Sequence, residues 1–123
     1  MLKKADIGII GALNDEVIHI IELLENRECE VVSGTEFNYG KIGTRTVVVA
    51  RCGVGKVFAA LCAEAMILRY SPSLIINSGV GGALEPSLRP TDIVFAGSLV
   101  QHDMDTSPLG DPKGLLSLHP PLQ

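Results

Sequence analysis

Tryptophan is absent and aromatic residues make up only 4% of the sequence, so any core built from it must be aliphatic. The three cysteines, Cys29, Cys52 and Cys62, include no CxxC pair and are odd in number, which argues against a disulfide framework and points to a reducing cytoplasm. Basic residues are sparse and scattered. The 10 Lys and Arg stand against 14 Asp and Glu, a net charge of −4 with no basic block, so nothing here would follow a nucleic-acid backbone. Long apolar runs are missing too, which speaks against a membrane span. The short run in MLKKADIGIIGAL is interrupted by Asp6 and makes a poor signal peptide.

What is present is 46% hydrophobic residues, 13 glycines and only 20% charged residues, the composition of a compact protein with a buried sheet. A chain of 123 residues suits one domain, able to bury about two thirds of its unfolded surface. Such a protein suits a small, uncharged or weakly polar ligand better than a polyanion. No internal repeat or low-complexity segment interrupts it.

Three apolar runs punctuate the chain. Ala5 to Ile10 reads as a parallel strand buried on both faces and closed by Gly11. From Asn14, a possible cap, Val17, Ile20, Ile21 and Leu24 recur at helical spacing, predicting a helix to about Glu25. Glu30 to Val32 and Glu36 to Tyr39 read as weak strands. Lys41 to Thr44 then turns into the β-branched run Thr46 to Ala50, as in a hairpin. That run meets Arg51-Cys52-Gly53-Val54-Gly55-Lys56, after which Val57, Leu61, Glu64 and Leu68 continue a helix toward Tyr70, stopped by Ser71-Pro72-Ser73.

The third run, Leu74 to Ile76, leads through Asn77 and Ser78 into Gly79, Gly81 and Gly82. A buried strand ending in glycines either makes a tight turn or exposes backbone amides that a ligand can approach closely. If the three strands lie parallel, all three glycine turns open on one rim of the sheet, where ligands of open α/β sheets bind. Further on, Glu85 to Thr91 reads as loop and Asp92 to Ala96 as another strand that extends toward Val100. Gln101 to Pro112 is polar and turn-rich, and Leu115 to Gln123 has no period.

Counting residues rejects two common fingerprints. Gly53-Val54-Gly55-Lys56 lacks the earlier glycine and the following Ser or Thr of a P-loop. Gly53-x-Gly55 and Gly79-x-Gly81 both lack the third glycine of a dinucleotide site, since Phe58 and Leu84 stand there. Glu16, in the first turn of the first helix, either answers the helix dipole or projects into the rim as a general base. His102, Asp103 and Asp105 have the residue types of metal ligands, but no second histidine cluster supports them, and a hydrogen-bonded loop is the simpler reading. Nothing is assigned to His19 or His119.

Taken together, Ile7-Gly8-Ile9-Ile10-Gly11-Ala12 with Glu16, Cys52-Gly53-Val54-Gly55-Lys56-Val57, Ile75-Ile76-Asn77-Ser78-Gly79-Val80-Gly81-Gly82, Thr91-Asp92-Ile93-Val94 and His102-Asp103-Met104-Asp105 form an ordered set. The set resembles the 5′-methylthioadenosine/S-adenosylhomocysteine nucleosidases of the purine and uridine phosphorylase superfamily. The likeness covers residues 5 to 114, and residues 115 to 123 read as an unpatterned tail.

The resemblance implies an α/β fold: a three-layer α/β/α sandwich with a mixed central sheet, nucleoside phosphorylase-like and here truncated. It also implies a cytoplasmic homodimer that hydrolyses the N-glycosidic bond of adenine thionucleosides with no metal or organic cofactor. Glu16 matches the glutamate that helps activate water. Gly11, Ala12, Gly53, Val54, Gly55, Ser78, Gly79, Val80, Gly81 and Gly82 match positions around the substrate. Val80 stands where the family commonly has serine. Leu109 falls in the loop that reaches the partner subunit's site.

By the same resemblance, the glutamate that holds the ribose hydroxyls and the aspartate that protonates adenine belong to a second half of the family pattern. No Met-Glu or Ser-Asp pair occurs in this sequence. The expectation is that these 123 residues alone have little or no activity. Two alternatives stay open, a phosphate-dependent nucleoside phosphorylase and a half-fold that binds or dimerises without catalysis.

Overall fold

The computed structural model describes residues 3–113, and the expected tail at 115–123 lies outside the described residues. The residues fall into two compact units, Met1–Gly82 and Ala83–Gln123.

The first unit is a five-stranded mixed sheet. Its strands are β1 (Ile7–Gly11), β2 (Glu25–Val32), β3 (Thr35–Ile42), β4 (Arg45–Arg51) and β5 (Leu74–Asn77), with helices α1 (Asn14–Glu22) and α2 (Lys56–Tyr70). The strand order is β2-β3-β4-β1-β5. β2, β3 and β4 run as an antiparallel meander, whereas β1 lies parallel to both β4 and β5.

The strand period of two decides which side chains meet which helix. Val47 and Val49 of β4 join Val17, Ile21 and Leu24 on the α1 face, with Ile7 and Ile9 beside them. Val48 and Ala50 point the other way, to Ile10, Phe37 and the α2 residues Cys62, Met66 and Tyr70. One helix therefore covers each face of the sheet, which is the three-layer arrangement that the sequence led us to expect. The core is aliphatic apart from Phe37 and Tyr70, whose ring centroids are 5.6 Å apart.

Several local readings shift. Leu13, not Asn14, is the N-cap of α1, and the helix ends at Glu22 because the chain is already turning into β2 at Glu25. The two weak strands are longer than their composition promised. The turn between them, Ser33-Gly34, has positive φ at both residues (51° and 80°), the twist that joins antiparallel strands tightly.

In α2 the stripe picked out by period, Val57, Leu61 and Leu68, faces outward, while Cys62, Met66 and Tyr70 are buried. This helix is apolar on most sides, so hydrophobic spacing alone cannot choose its inward face.

The second unit corrects one expectation: Asp92 to Val100 is not a strand. Ile93 and Phe95 are 84% and 91% exposed. Strand propensity is fulfilled only by a ladder partner and a surface to pack on, and the described residues of this unit contain no strand to pair with. Among its described residues the one regular element is a short 3-10 turn, Ser107–Leu109, where the Asp105 carboxylate accepts the Ser107 amide.

Candidate active site

Parallel pairing brings three strand tips to one rim. Gly11 stands level with Arg51, and Ile10 with Asn77. Main-chain bonds continue the ladders just past the strands: the Cys52 amide donates to the Gly11 carbonyl and the Ser78 amide to the Ile10 carbonyl, both at 2.9 Å. The convergence inferred from three glycine-tipped strands is therefore present.

Glu16 sits where β1 passes into α1, half-buried, with its carboxylate turned to the rim. Oε2 accepts the amides of Ala12 (2.8 Å) and Leu13 (2.9 Å). Oε1 accepts the amide of Val80 at 3.1 Å. The amides of Leu13 and Val80, helped by that of Ala12, hold the carboxyl below the usual carboxylate range although desolvation opposes them. A carboxylate has about four lone-pair sites, and these three bonds leave one on Oε1, beside the tip of β5.

Two glycines make this approach possible. A Cβ on Gly79 would lie 2.9 Å from Glu16 Oε1, and one on Gly11 would lie 2.6 Å from Val17 Cγ1 and 3.2 Å from Ser78 O. Gly81 and Gly82 have open space around them, so sterics do not demand glycine there. The bond from Val80 comes from its backbone, so a serine hydroxyl is not needed at that position to hold Glu16.

On the other side of the β1 tip lies an open depression of about 570 Å³. Of the residues singled out in the sequence, Ala12, Gly53 and Val54 line it, and Gly11, Glu16, Gly55, Ser78, Gly79, Val80, Gly81 and Gly82 do not. Its remaining walls were missed: Leu13, Phe58 and Leu61, the hairpin turn Ser33 to Thr35, and Arg51. The hairpin glycine and an exposed Phe58 straight after a glycine turn were the available signals. The rim thus holds two adjoining places, a carboxylate cleft between the β1 and β5 tips and a depression between the β1 and β4 tips. Ala12 and Leu13 belong to both.

Cys52 also lines the depression, but burial pushes its thiol up and the nearby Glu16 charge adds to this, so it is no thiolate nucleophile. Burial likewise lifts Cys62 to about 11. Leu109 lies in the second unit, on the 3-10 turn, and is 83% exposed. Among the described residues, no three His, Cys, Asp or Glu side chains converge as a metal-ligand set, His102, Asp103 and Asp105 included.

Three glycine-tipped parallel strands of a mixed sheet, with a carboxylate at their rim, define the class. The chain belongs to the phosphorylase superfamily, whose family profile matches residues 6–123. Within it, the 5′-methylthioadenosine/S-adenosylhomocysteine nucleosidase of Shewanella halifaxensis is 37% identical over 114 residues, which are 93% of this chain and 50% of the relative.

The nucleosidase of the same description from Colwellia psychrerythraea, solved in complex with adenine, superposes with a TM-score of 0.91 at 32% identity, covering 97% of this chain and 49% of that one. The futalosine hydrolase of Helicobacter pylori superposes with a TM-score of 0.83 at 35% identity, covering 95% and 50%. The nucleoside phosphorylase-like fold read from the sequence is thus the fold of these relatives. The chain spans about half the length of the relatives it matches.

Proposed function

We propose that this chain supplies the water-activating part of a site that hydrolyses the N-glycosidic bond of adenine thionucleosides, 5′-methylthioadenosine and S-adenosylhomocysteine, in methionine recycling. The observation that carries this reading is the ionised Glu16 carboxylate, fixed by three backbone amides, with one lone pair open at the strand rim.

The chemistry follows from that lone pair. A water held on Oε1 adds to the anomeric carbon as the bond from that carbon to adenine breaks, and the bonding pair leaves with adenine. The water's proton passes to Glu16, and adenine takes a proton from an acid that the family pattern places in its second half. So acidic a carboxylate is a weak base at rest. It takes the proton once the water oxygen has bonded to a cationic, oxocarbenium-like carbon and has itself become strongly acidic. The same negative charge stabilises that cation as it develops.

The substrate would span both places on the rim, with Ser78 to Gly82 beside the nucleoside. The depression has an apolar wall of Leu13, Val54, Phe58 and Leu61, which suits the 5′-thioether. Arg51 at its edge matches the homocysteine carboxylate of S-adenosylhomocysteine. A phosphorylase would bring phosphate dianion to the same place, where Glu16 repels it. The finer expectations belong to this proposal too: a cytoplasmic homodimer in which Leu109 reaches the partner's site. No described helix is long and apolar enough to cross a membrane.

The test joins residues 1–113 to the second half of the Shewanella halifaxensis relative and follows free adenine. Release that needs Glu16 and proceeds without phosphate is expected, with none from the 123-residue chain alone. A chimaera that folds but releases no adenine, or does so only with phosphate, defeats the reading.

A further inference from the structure

A methylthio group would fill little of a depression of about 570 Å³, so the groups lining the remainder decide which longer 5′ substituents enter it. Besides the Cys52 thiol, the polar side chains there belong to Asn14 at the start of α1, Ser33 and Thr35 around the β2–β3 turn, and Arg51 at the tip of β4. All four can donate a hydrogen bond, and none is bonded through its side chain to another described residue. Among the described residues that line the depression there is no aspartate or glutamate.

The fixed charge at this place is therefore of one sign. Glu36, which continues the β3–β4 register opposite Arg51, accepts the Asn38 side-chain amide at 3.0 Å and forms no ion pair with Arg51. Glu16 is held by backbone amides toward the β5 tip. What is left is a guanidinium fork, whose planar donors match a carboxylate. Ser33 adds an independent sign: its φ of 51° lies in the left-handed region that glycine adopts freely, yet the residue is a serine and lines the depression.

We propose that Arg51, with Asn14 and the hydroxyls of Ser33 and Thr35, forms a charge-selective subsite that holds the carboxylate of a 5′ substituent and leaves an ammonium group unread. It favours adenine thionucleosides whose thioether ends in a carboxylate, with or without an α-amino group. A thioether that ends in an amine alone meets the like charge of Arg51 and finds no carboxylate there. The inference rests on the hydrolytic reading and deepens it: S-adenosylhomocysteine is recognised by one of its two charges.

A series of 5′-thioadenosine thioethers separates those charges: methyl, 3-carboxypropyl, 3-aminopropyl, and the homocysteine of S-adenosylhomocysteine itself. With the chimaera described above, KM for adenine release should agree within about threefold for the carboxypropyl compound and S-adenosylhomocysteine, and be at least about tenfold higher for the aminopropyl compound. Arg51→Met should shrink that ratio to about threefold or less. Arg45→Met removes the same charge from the other end of β4 and should leave the ratio as it was. Ser33→Gly keeps the turn, because glycine accepts the positive φ, and Thr35→Val keeps the side-chain shape. Each should raise KM of the carboxypropyl compound relative to the methyl compound by about threefold.

Equilibrium dialysis of the same compounds, on the chimaera and on the 123-residue chain, reads the subsite without turnover. No adenine from any compound, with this order of affinities kept, defeats the hydrolytic reading and supports the subsite. Equal affinity for the carboxypropyl and aminopropyl compounds, or a charge ratio untouched by R51M, overturns the subsite. So does the absence of any effect from both turn variants. Binding of S-adenosylhomocysteine at least about tenfold tighter than the carboxypropyl compound would overturn it too, since an acceptor such as Glu36 would then be reading the ammonium.

Discussion

Glu16 and Val80 are 64 residues apart in the chain, yet the main-chain amide of Val80 donates to Glu16 Oε1 at 3.1 Å. The bond ties the first turn of α1 to the segment that leaves β5, and it aims the carboxylate at the rim. Replacing Glu16 with Gln keeps an oxygen for the amides but removes the base. In the completed protein, E16Q should lower kcat for adenine release by about a hundredfold or more, with the far-ultraviolet circular dichroism unchanged.

The depressed acidity of Glu16 also sets a pH limit. Its carboxyl is held down chiefly by the Leu13 and Val80 amides, so it stays ionised below the ordinary range of a glutamate. Activity that needs the anion is kept at neutral pH and is lost only as pH falls through that lowered value. The acid limb of kcat against pH should therefore lie below 4.5, the ordinary value of a glutamate. A limb near neutrality would assign the base to another group.

Gly79 tests the geometry without touching the carboxylate. Its missing Cβ is what lets Glu16 Oε1 come close, and an added methyl at 2.9 Å must push the carboxylate or the β5 tip aside. Gly79→Ala should cost about tenfold or more in kcat, since a small misplacement of a reacting group is expensive. Gly81→Ala and Gly82→Ala meet no protein atom, so they should leave Glu16 in place, and any cost beside the nucleoside should fall on KM and not on kcat.

The parts of the fold written in local pattern were legible. β1, β4 and β5 are short apolar runs cut off by glycine, and the parallel alignment that the sequence left as a condition is what the strand pairing shows. The charged strand β2 hid its pairing because an edge strand buries little on either face. Asp92 to Val100 misled because propensity says nothing of whether a ladder partner is there. Glu16 stands out in the sequence through its place after a glycine turn, but its amide partner Val80 is non-local, and no spacing rule reaches that far.

Arg51 offers a test of what the depression holds. It lines the same depression as Leu13, Val54, Phe58 and Leu61, and the proposed reading has a substrate carboxylate meet its guanidinium there. In the completed protein, Arg51→Met should raise KM for S-adenosylhomocysteine by several-fold to about tenfold and leave KM for 5′-methylthioadenosine nearly unchanged. Equal changes for the two substrates would remove Arg51 from recognition of the 5′ substituent.

Stability depends on a different carboxylate. Arg69 donates to Glu30 through Nε (2.9 Å) and Nη2 (2.8 Å), and the Tyr70 hydroxyl donates at 2.5 Å, clamping the end of α2 to β2. These bonds, Arg69 first, lower the Glu30 carboxyl to about 2. A depressed carboxylate contributes its full stabilisation above its unfolded value, near 4.5, and loses it as pH falls through about 2. Glu30→Gln should therefore cost about 1–2 kcal/mol at pH 7, a figure reduced for partial exposure of the pair. In urea unfolding of the 123-residue chain, the gap between parent and E30Q should be widest at neutral pH and narrow steadily below pH 4.5. A gap that stays constant into acid would mean that Glu30 acts through packing and not through its charge.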